Sequence, residues 1–163
     1  MGFRKMKIQG NSYRDGSAIE ISFSEGSIDS ISETQTPLDE NLILGPGFTD
    51  IQVNGYGGID YNEIQSDPMN LAEISRLLYK EGVTTHFPTI ITNDPEQISQ
   101  LILQLVSLRK SEKFSRMSIE GLHIEGPFIS SIDAPRGAHH QEFVCAPDVS
   151  LVQTCKIASK RLI

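Results

Sequence analysis

The chain has 163 residues, 38% hydrophobic and 21% charged, with 14 Lys and Arg against 21 Asp and Glu. That composition suits a globular protein and excludes the disordered and fibrous classes. The net charge of −7, without a basic stripe, argues against a nucleic-acid partner, and no apolar run reaches the about 18 residues that a membrane span needs.

Met1 to Lys7 carries positive charge but no apolar core follows, so it does not read as a secretory signal. Cys145 and Cys155 lie too far apart for a compact Cys-only metal site and are too few for a disulfide framework. They read as thiols in a reducing compartment, and the cytoplasm is the expected location. The Arg109-Lys110, Lys113 and Arg116 cluster, diluted by Glu112, reads as a solvated helix end favoured by the helix dipole.

In chain order, Arg4 to Gln9, Ala18 to Ser24 and Ser27 to Ser32 are predicted strands, separated by the turn signals Asp15-Gly16 and Glu25-Gly26. Ile19, Ile21 and Phe23 alternate with Glu20 and Ser22, the pattern of a half-buried strand. Glu25-Gly26 predicts a hairpin. Thr34 to Asn41, with Pro37, reads as a linker, so residues 1–45 form part of a small β module.

The pattern then changes. Phe48 to Asn54 is a short apolar strand ending in Gly55-Tyr56-Gly57-Gly58. A helix follows, capped by Asp67 and started by Pro68, with Leu71, Ile74, Leu77 and Leu78 on one face and Gly82 closing it. Val83 to Ile91 is a second strand. A second helix starts at Asp94-Pro95, with Gln97 placed for a capping box and a stripe of Ile98, Leu101, Ile102, Leu105 and Leu108. Ser118 to Ile124 is a third strand. Asp148 with Val149, Val152 and Cys155 predicts a third helix.

Alternating strands and helices imply a parallel α/β fold. Thr84 follows Phe48 by 36 residues and Ser118 follows Thr84 by 34, close to the about 31 residues per unit of a (β/α)₈ barrel. A doubly wound sheet has a similar period. Three units do not close a barrel, and the sequence stops with no strand after the third helix, so it reads as a piece of a longer chain.

Catalytic groups in such folds sit at the carboxyl ends of strands. At the first, Gln52 and Asn54 are two apart and share a face; the alternative is a polar strand end before a glycine turn. Gly55-Tyr56-Gly57-Gly58 lacks the spacing and the lysine of a phosphate loop. His86 in the second strand reads as a satisfied core histidine. The third strand carries His123 and Glu125 on one face, within Gly121-Leu122-His123-Ile124-Glu125-Gly126-Pro127-Phe128. A carboxylate there needs a partner, either a divalent metal or an Arg or Lys. The next loop brings Asp133, Arg136, Gly137, Ala138, His139 and His140. Its N–H groups and cations suit a phosphate, although a His pair is equally at home on a surface.

Together these segments resemble the N-acetylglucosamine-6-phosphate deacetylase family of the amidohydrolase superfamily. The matching pieces are Pro46 to Gly58, Gly82 to Thr85, Pro88 to Thr92, Gly121 to Phe128 and Gly137-Ala138-His139. The resemblance implies a distorted (β/α)₈ barrel, here about its first three βα units over residues 46–163, preceded by part of a small β-sandwich over 1–45. It implies hydrolysis of N-acetylglucosamine 6-phosphate to glucosamine 6-phosphate and acetate. It implies Glu125 as a metal ligand, and Ala138 and His139 as contacts to the amino sugar phosphate. Gln52 and Asn54 hold the positions where many amidohydrolases carry His-x-His, so one divalent ion, zinc or iron, is expected; those two amides and His123 would support its ligand rather than bind it. The general-base aspartate and two ligand histidines come from later strands, so these 163 residues alone are expected to be inactive. A homodimer is expected of the full-length enzyme. The alternatives are a related amidohydrolase on another N-acyl sugar phosphate or cyclic amide, and a non-catalytic fragment. The segment between Glu125 and Gly137 is about two residues longer than in some members.

Overall fold

The structure, a computed structural model, describes residues 5–35, 39, 41–64 and 67–159, with only the backbone of Pro68. Arg4 of the first predicted strand, and Pro37 with its neighbours in the predicted linker, lie outside the described residues. The chain divides into two compact units, Met1–Pro46 and Gly47–Ile163.

The first unit is one four-stranded sheet. Strands β1 (Met6–Ser12), β2 (Ala18–Ser24), β3 (Ser27–Glu33) and β4 (Ile43–Leu44) lie in the order β3-β2-β1-β4. The first three are antiparallel and β4 runs parallel to β1. Glu25 and Gly26 have φ of 53° and 81°, the pair of positive values that a two-residue hairpin turn requires. Met6 and Ile8 face Phe23 and Ile21, which in turn face Ile28 and Ile31. This collects the apolar alternation on one side of the sheet, where Met6, Ile8, Ile28 and Ile31 are exposed.

The second unit is a mixed α/β structure around three parallel strands. These are β5 (Phe48–Val53), β8 (Val83–Ile91) and β9 (His123–Glu125), in the order β5-β8-β9. Between β5 and β8 come a short hairpin, β6 (Gly55–Tyr56) with β7 (Ile59–Asp60), and helix α1 (Pro68–Lys80). Gly57 and Gly58, with φ of 64° and 83°, form the hairpin tip. The glycine cluster is therefore a turn of its own.

Helix α1 begins where Asp67 accepts a hydrogen bond from the Met69 N–H at 2.9 Å. It buries Leu71, Ile74 and Leu78 against the sheet; Gly82, at φ 85°, follows its end. Helix α2 (Pro95–Ser111) buries Ile98, Ile102, Leu105, Val106 and Leu108. These residues join Val53, Tyr61, Ile90 and Ile119 in one apolar core. Asp94 caps α2 by accepting from the Glu96 N–H at 2.9 Å. The expected capping box is replaced: the Asp94 N–H donates to Asn93 Oδ1 at 2.8 Å instead of to Gln97. Asp94→Ala is expected to lower stability by about 1 kcal/mol, the usual worth of an acidic cap; a urea midpoint that does not move would refute this role.

Two expectations are corrected here. The third strand does not run from Ser118. Glu112 accepts from the Ser115 N–H at 2.8 Å and starts a short helix, α3 (Lys113–Ser118). Arg109 Nε donates to the Ile119 carbonyl at 2.7 Å, so this cation staples the turn instead of lying free in solvent. Ile119 makes one isolated bridge to His86, and regular pairing begins only at His123. The last helix, after α4 (Asp133–Arg136), is α5 (Val149–Ser159), but its inward face is not the predicted one. Leu151 is buried, with Cys155 and Ala158 packed on the core, while Val149 and Val152 are exposed. The i, i+4, i+7 row won over the i, i+3, i+6 row, which drifts round the helix.

Candidate functional site

The parallel register places Ile91 opposite Glu125, so Thr92 and the Glu125-Gly126 step emerge side by side from the ends of β8 and β9. Glu125 is half-buried, with 29% of its side chain exposed. Among the described residues its charged partner is neither Arg nor Lys. His139 Nε2 lies 3.7 Å from Glu125 Oε1. The loop after β9 carries His139 back over the strand ends, where its Nδ1 is 2.9 Å from Thr92 Oγ1. The same hydroxyl donates to the Glu125 carbonyl at 3.3 Å. Three residues from two strand ends and one loop thus form a single polar cluster.

Arg136 holds that loop in shape. One terminal nitrogen donates to the His139 carbonyl, and the other to Asp133 Oδ1 at 2.7 Å. The guanidinium is therefore turned on its own loop, which alters the expectation that it serves a phosphate as a free cation. Ala138 is exposed beside His139. His140 is also exposed, packed edge-on against Phe143 with ring centroids 6.2 Å apart. The His139-His140 pair is split between two roles.

Gln52 and Asn54 are exposed at the end of β5. Gln52 donates its N–H to Asp50 Oδ1 at 3.0 Å, and the Asn54 carbonyl accepts from the Tyr61 N–H at 2.9 Å. Pairing of β5 with β8 shifts register between Asp50 and Val53, and the Ile51 carbonyl in that gap meets His123 Nδ1 at 2.9 Å. His123 thereby links β9 to β5 across the intervening strand. In a flat sheet those strands would stand about 9.5 Å apart, so the contact requires the sheet to curl toward this face.

Asn62 was not singled out by the sequence. It donates to the Thr89 carbonyl at 3.1 Å and accepts from the Ile91 N–H at 2.9 Å, which clamps the end of β8. Nothing in its surroundings in the chain distinguishes it from a loop asparagine. Thr92 was visible only as the last residue of a matching segment.

His86 is fully buried and only half-satisfied. Its Nε2 is 2.8 Å from the Tyr61 hydroxyl, while Nδ1 has no hydrogen-bond partner among the described residues. Burial lowers its pKa to about 4 against the opposing pull of Asp50. Burial also pushes the Tyr61 phenol well above its ordinary range. Both rings stay neutral, a structural pair and not a charge relay.

Among the described residues no three His, Cys, Asp or Glu side chains gather to hold a metal ion. Glu125 and His139 bring two donor side chains together, short of the three protein ligands that an open metal site uses. These residues do not by themselves fit an ion.

No family model matches the chain. Curated relatives do. It is 40% identical over 110 residues to an N-acetylglucosamine-6-phosphate deacetylase of Caenorhabditis elegans, covering 64% of this chain and 25% of that protein. The deacetylase of that name from Homo sapiens is 39% identical over 98 residues (60% and 23%). The one from Bacillus subtilis is 33% identical over 121 (73% and 29%). Among solved structures, N-acetylglucosamine-6-phosphate deacetylase from Thermotoga maritima superposes with a TM-score of 0.76 at 23% identity, over 91% of this chain and 39% of that one. The Mycobacterium smegmatis D267A enzyme, in complex with N-acetyl-D-glucosamine-6-phosphate, gives 0.74 at 20% identity, over 94% and 40%. The fold is shared with these enzymes, and the chain spans about a quarter of the length of the curated relatives. Over that shared stretch, this chain is a homologue of the N-acetylglucosamine-6-phosphate deacetylases.

Proposed function

We propose that this chain forms part of an enzyme that hydrolyses the acetamide of N-acetylglucosamine 6-phosphate, yielding glucosamine 6-phosphate and acetate. The observation that carries the reading is the gathering of Thr92, Glu125 and His139 at the carboxyl ends of parallel strands, in a sequence homologous to such deacetylases. In this reading β5, β8 and β9 are the first strands of a (β/α)₈ barrel. Their sequential order and the curl drawn by His123 support it. The Met1–Pro46 unit is then part of a β-sandwich whose apolar face other strands cover.

Glu125 contributes one ligand to a single divalent ion, zinc or iron, and Ala138 and His139 touch the amino sugar phosphate. The exposed Gln52 and Asn54, and the tethered His123, border this place without binding the ion. The remaining ligands and the general-base aspartate come from sequence beyond these 163 residues. No helix among the described residues is long and apolar enough to cross a membrane; a cytoplasmic enzyme, dimeric at full length, completes the proposal.

The test is acetate release from N-acetylglucosamine 6-phosphate. The 163-residue chain is expected to release none, with or without added zinc or iron(II). Fused to the remaining sequence of the B. subtilis relative, it is expected to turn over in a metal-dependent way. Glu125→Gln should then reduce the rate by more than about 100-fold, the upper range for residues that only support a ligand. Turnover by the chain alone contradicts the division of ligands. A folded, metal-loaded fusion that cleaves only another N-acyl sugar phosphate or a cyclic amide contradicts the substrate.

A further inference from the structure

The end of β8 has a described strand beside it on one side only. β5 pairs with it as far as Val53 opposite Pro88, whereas β9 pairs with the next three residues, Thr89 to Ile91. We propose that Asn62 is a positioning residue for the deacetylase site: its side-chain amide takes the place of a strand where β5 stops, and so fixes the strand ends from which Thr92 and Glu125 emerge. The proposal deepens the deacetylase reading and rests on it only for the consequence on turnover.

A residue in a parallel ladder bonds to two residues of its neighbour, two positions apart, donating to one carbonyl and accepting from one N–H. Asn62 does the same with its side chain. Its Nδ2 donates to the Thr89 carbonyl at 3.1 Å, and its Oδ1 accepts from the Ile91 N–H at 2.9 Å. It thus stands opposite Ile90, whose partner on the other side is Ile124. The partners also settle which way the amide points. The Thr89 carbonyl and the Asp60 carboxylate, 3.1 Å from Nδ2, can only accept, and the Ile91 N–H can only donate. Turning the amide over would break all three bonds.

Asn62 is itself anchored. Its N–H donates to Asp60 Oδ1 at 2.8 Å. Tyr61, its neighbour in the chain, is fully buried, with its N–H on the Asn54 carbonyl and its hydroxyl on His86. The end of β5 is thereby tied to the end of β8. Ile91 is paired with Glu125 and precedes Thr92, so a shift of its backbone passes to both. The loop of Ala138 and His139 is held separately, by the bonds of Arg136 within that loop.

The experiment is amide hydrogen exchange of the ¹⁵N-labelled chain, read residue by residue. In the wild type the Ile91 N–H is expected to be protected, as a ladder amide is; exchange at the rate of a free loop amide overturns the proposal, and this needs no variant to fold. In Asn62→Leu, Ile91 should exchange at least about tenfold faster, and the Thr92 and Glu125 amide signals should move, while the buried Ile102 and Leu105 of α2 keep their rates. Unchanged Ile91, Thr92 and Glu125 signals overturn the proposal. So does an equal loss at Ile102 and Leu105, which makes Asn62 a residue of general stability. In the fusion to the B. subtilis remainder, Asn62→Leu should lower kcat per folded molecule by about tenfold or more, as a misplaced group does. KM should stay within about threefold, because the Ala138–His139 loop keeps its own support; a raised KM at unchanged kcat contradicts this. If the fusion with Asn62 intact hydrolyses nothing, the deacetylase reading fails by itself, and hydrogen exchange alone decides whether Asn62 sets the strand ends.

Discussion

Acidification from about pH 7 to pH 4 is expected to remove about 3 kcal/mol of folding stability from the Gly47–Ile163 unit through His86. The folded state holds this imidazole neutral down to about pH 4, while an unfolded chain protonates it near the ordinary histidine value of about 6.5. Below the unfolded value, the unfolded state takes up a proton that the folded state refuses, so stability falls with pH. The loss grows from about pH 6.5 to about pH 4 and then levels off. Above about pH 7 both states are neutral and the group contributes no slope. The cause is burial, which Asp50 only partly counters. Tyr61 supplies a hydrogen bond but no charge, because its phenol stays protonated. Urea unfolding of the wild type and His86→Gln at pH 7 and pH 4.5 isolates this contribution from the carboxylates. The wild type should lose about 2–3 kcal/mol more than the variant over that interval; equal losses would show that His86 is not held neutral.

Gly126→Ala is expected to destabilise the same unit by about 3 kcal/mol and to disorder the polar cluster. Two separate effects add. Gly126 has φ 88°, a conformation that costs an L residue about 1–2 kcal/mol. The new Cβ would also fall 2.0 Å from Thr92 Oγ1 and 3.3 Å from Thr92 Cβ, and Thr92 is fully buried. A double-mutant cycle separates them. In a Thr92→Ala background the 2.0 Å overlap with Oγ1 is gone and only the 3.3 Å contact with Cβ remains, so Gly126→Ala should cost mainly the backbone share, about 1–2 kcal/mol. If the alanine costs as much with Thr92 removed as with it present, the close packing of these two residues plays no part.

What could be read from the sequence was what depends on near neighbours. Helix α1 was visible because Asp67, Pro68 and its apolar row act within one helix, and β2 because alternation has a period of two. Helix starts are legible because capping chemistry is local, as at Asp67 and Asp94. Errors came where two local solutions competed. Glu112 had the chemistry of a helix cap, and using it displaced the third strand by five residues, from Ser118 to His123. In α5 two apolar rows were available, and contact with α2 selected the one through Leu151.

The site divides in the same way. His123 and Glu125 stood out because two residues apart on a strand share a face. The pairing of Glu125 with His139, and the hydroxyl of Thr92 between them, joins residues as many as 47 positions apart. That proximity is created by the parallel register, which no short stretch of chain encodes. Asn62 was hidden for the same reason, since its partners lie 27 and 29 residues away.

The sequential strand order also bears on how the second unit assembles. Phe48 pairs with Val83 and Thr89 pairs with His123, so each new strand meets a partner little more than one helix behind it. The entropy of closing such a loop depends only on the logarithm of its length, and the two closures are nearly equal. Every further βα unit of the same size would face the same barrier. Growth can then proceed as the polypeptide leaves the ribosome, one unit docking on the last, with no step that waits for distant segments to find each other.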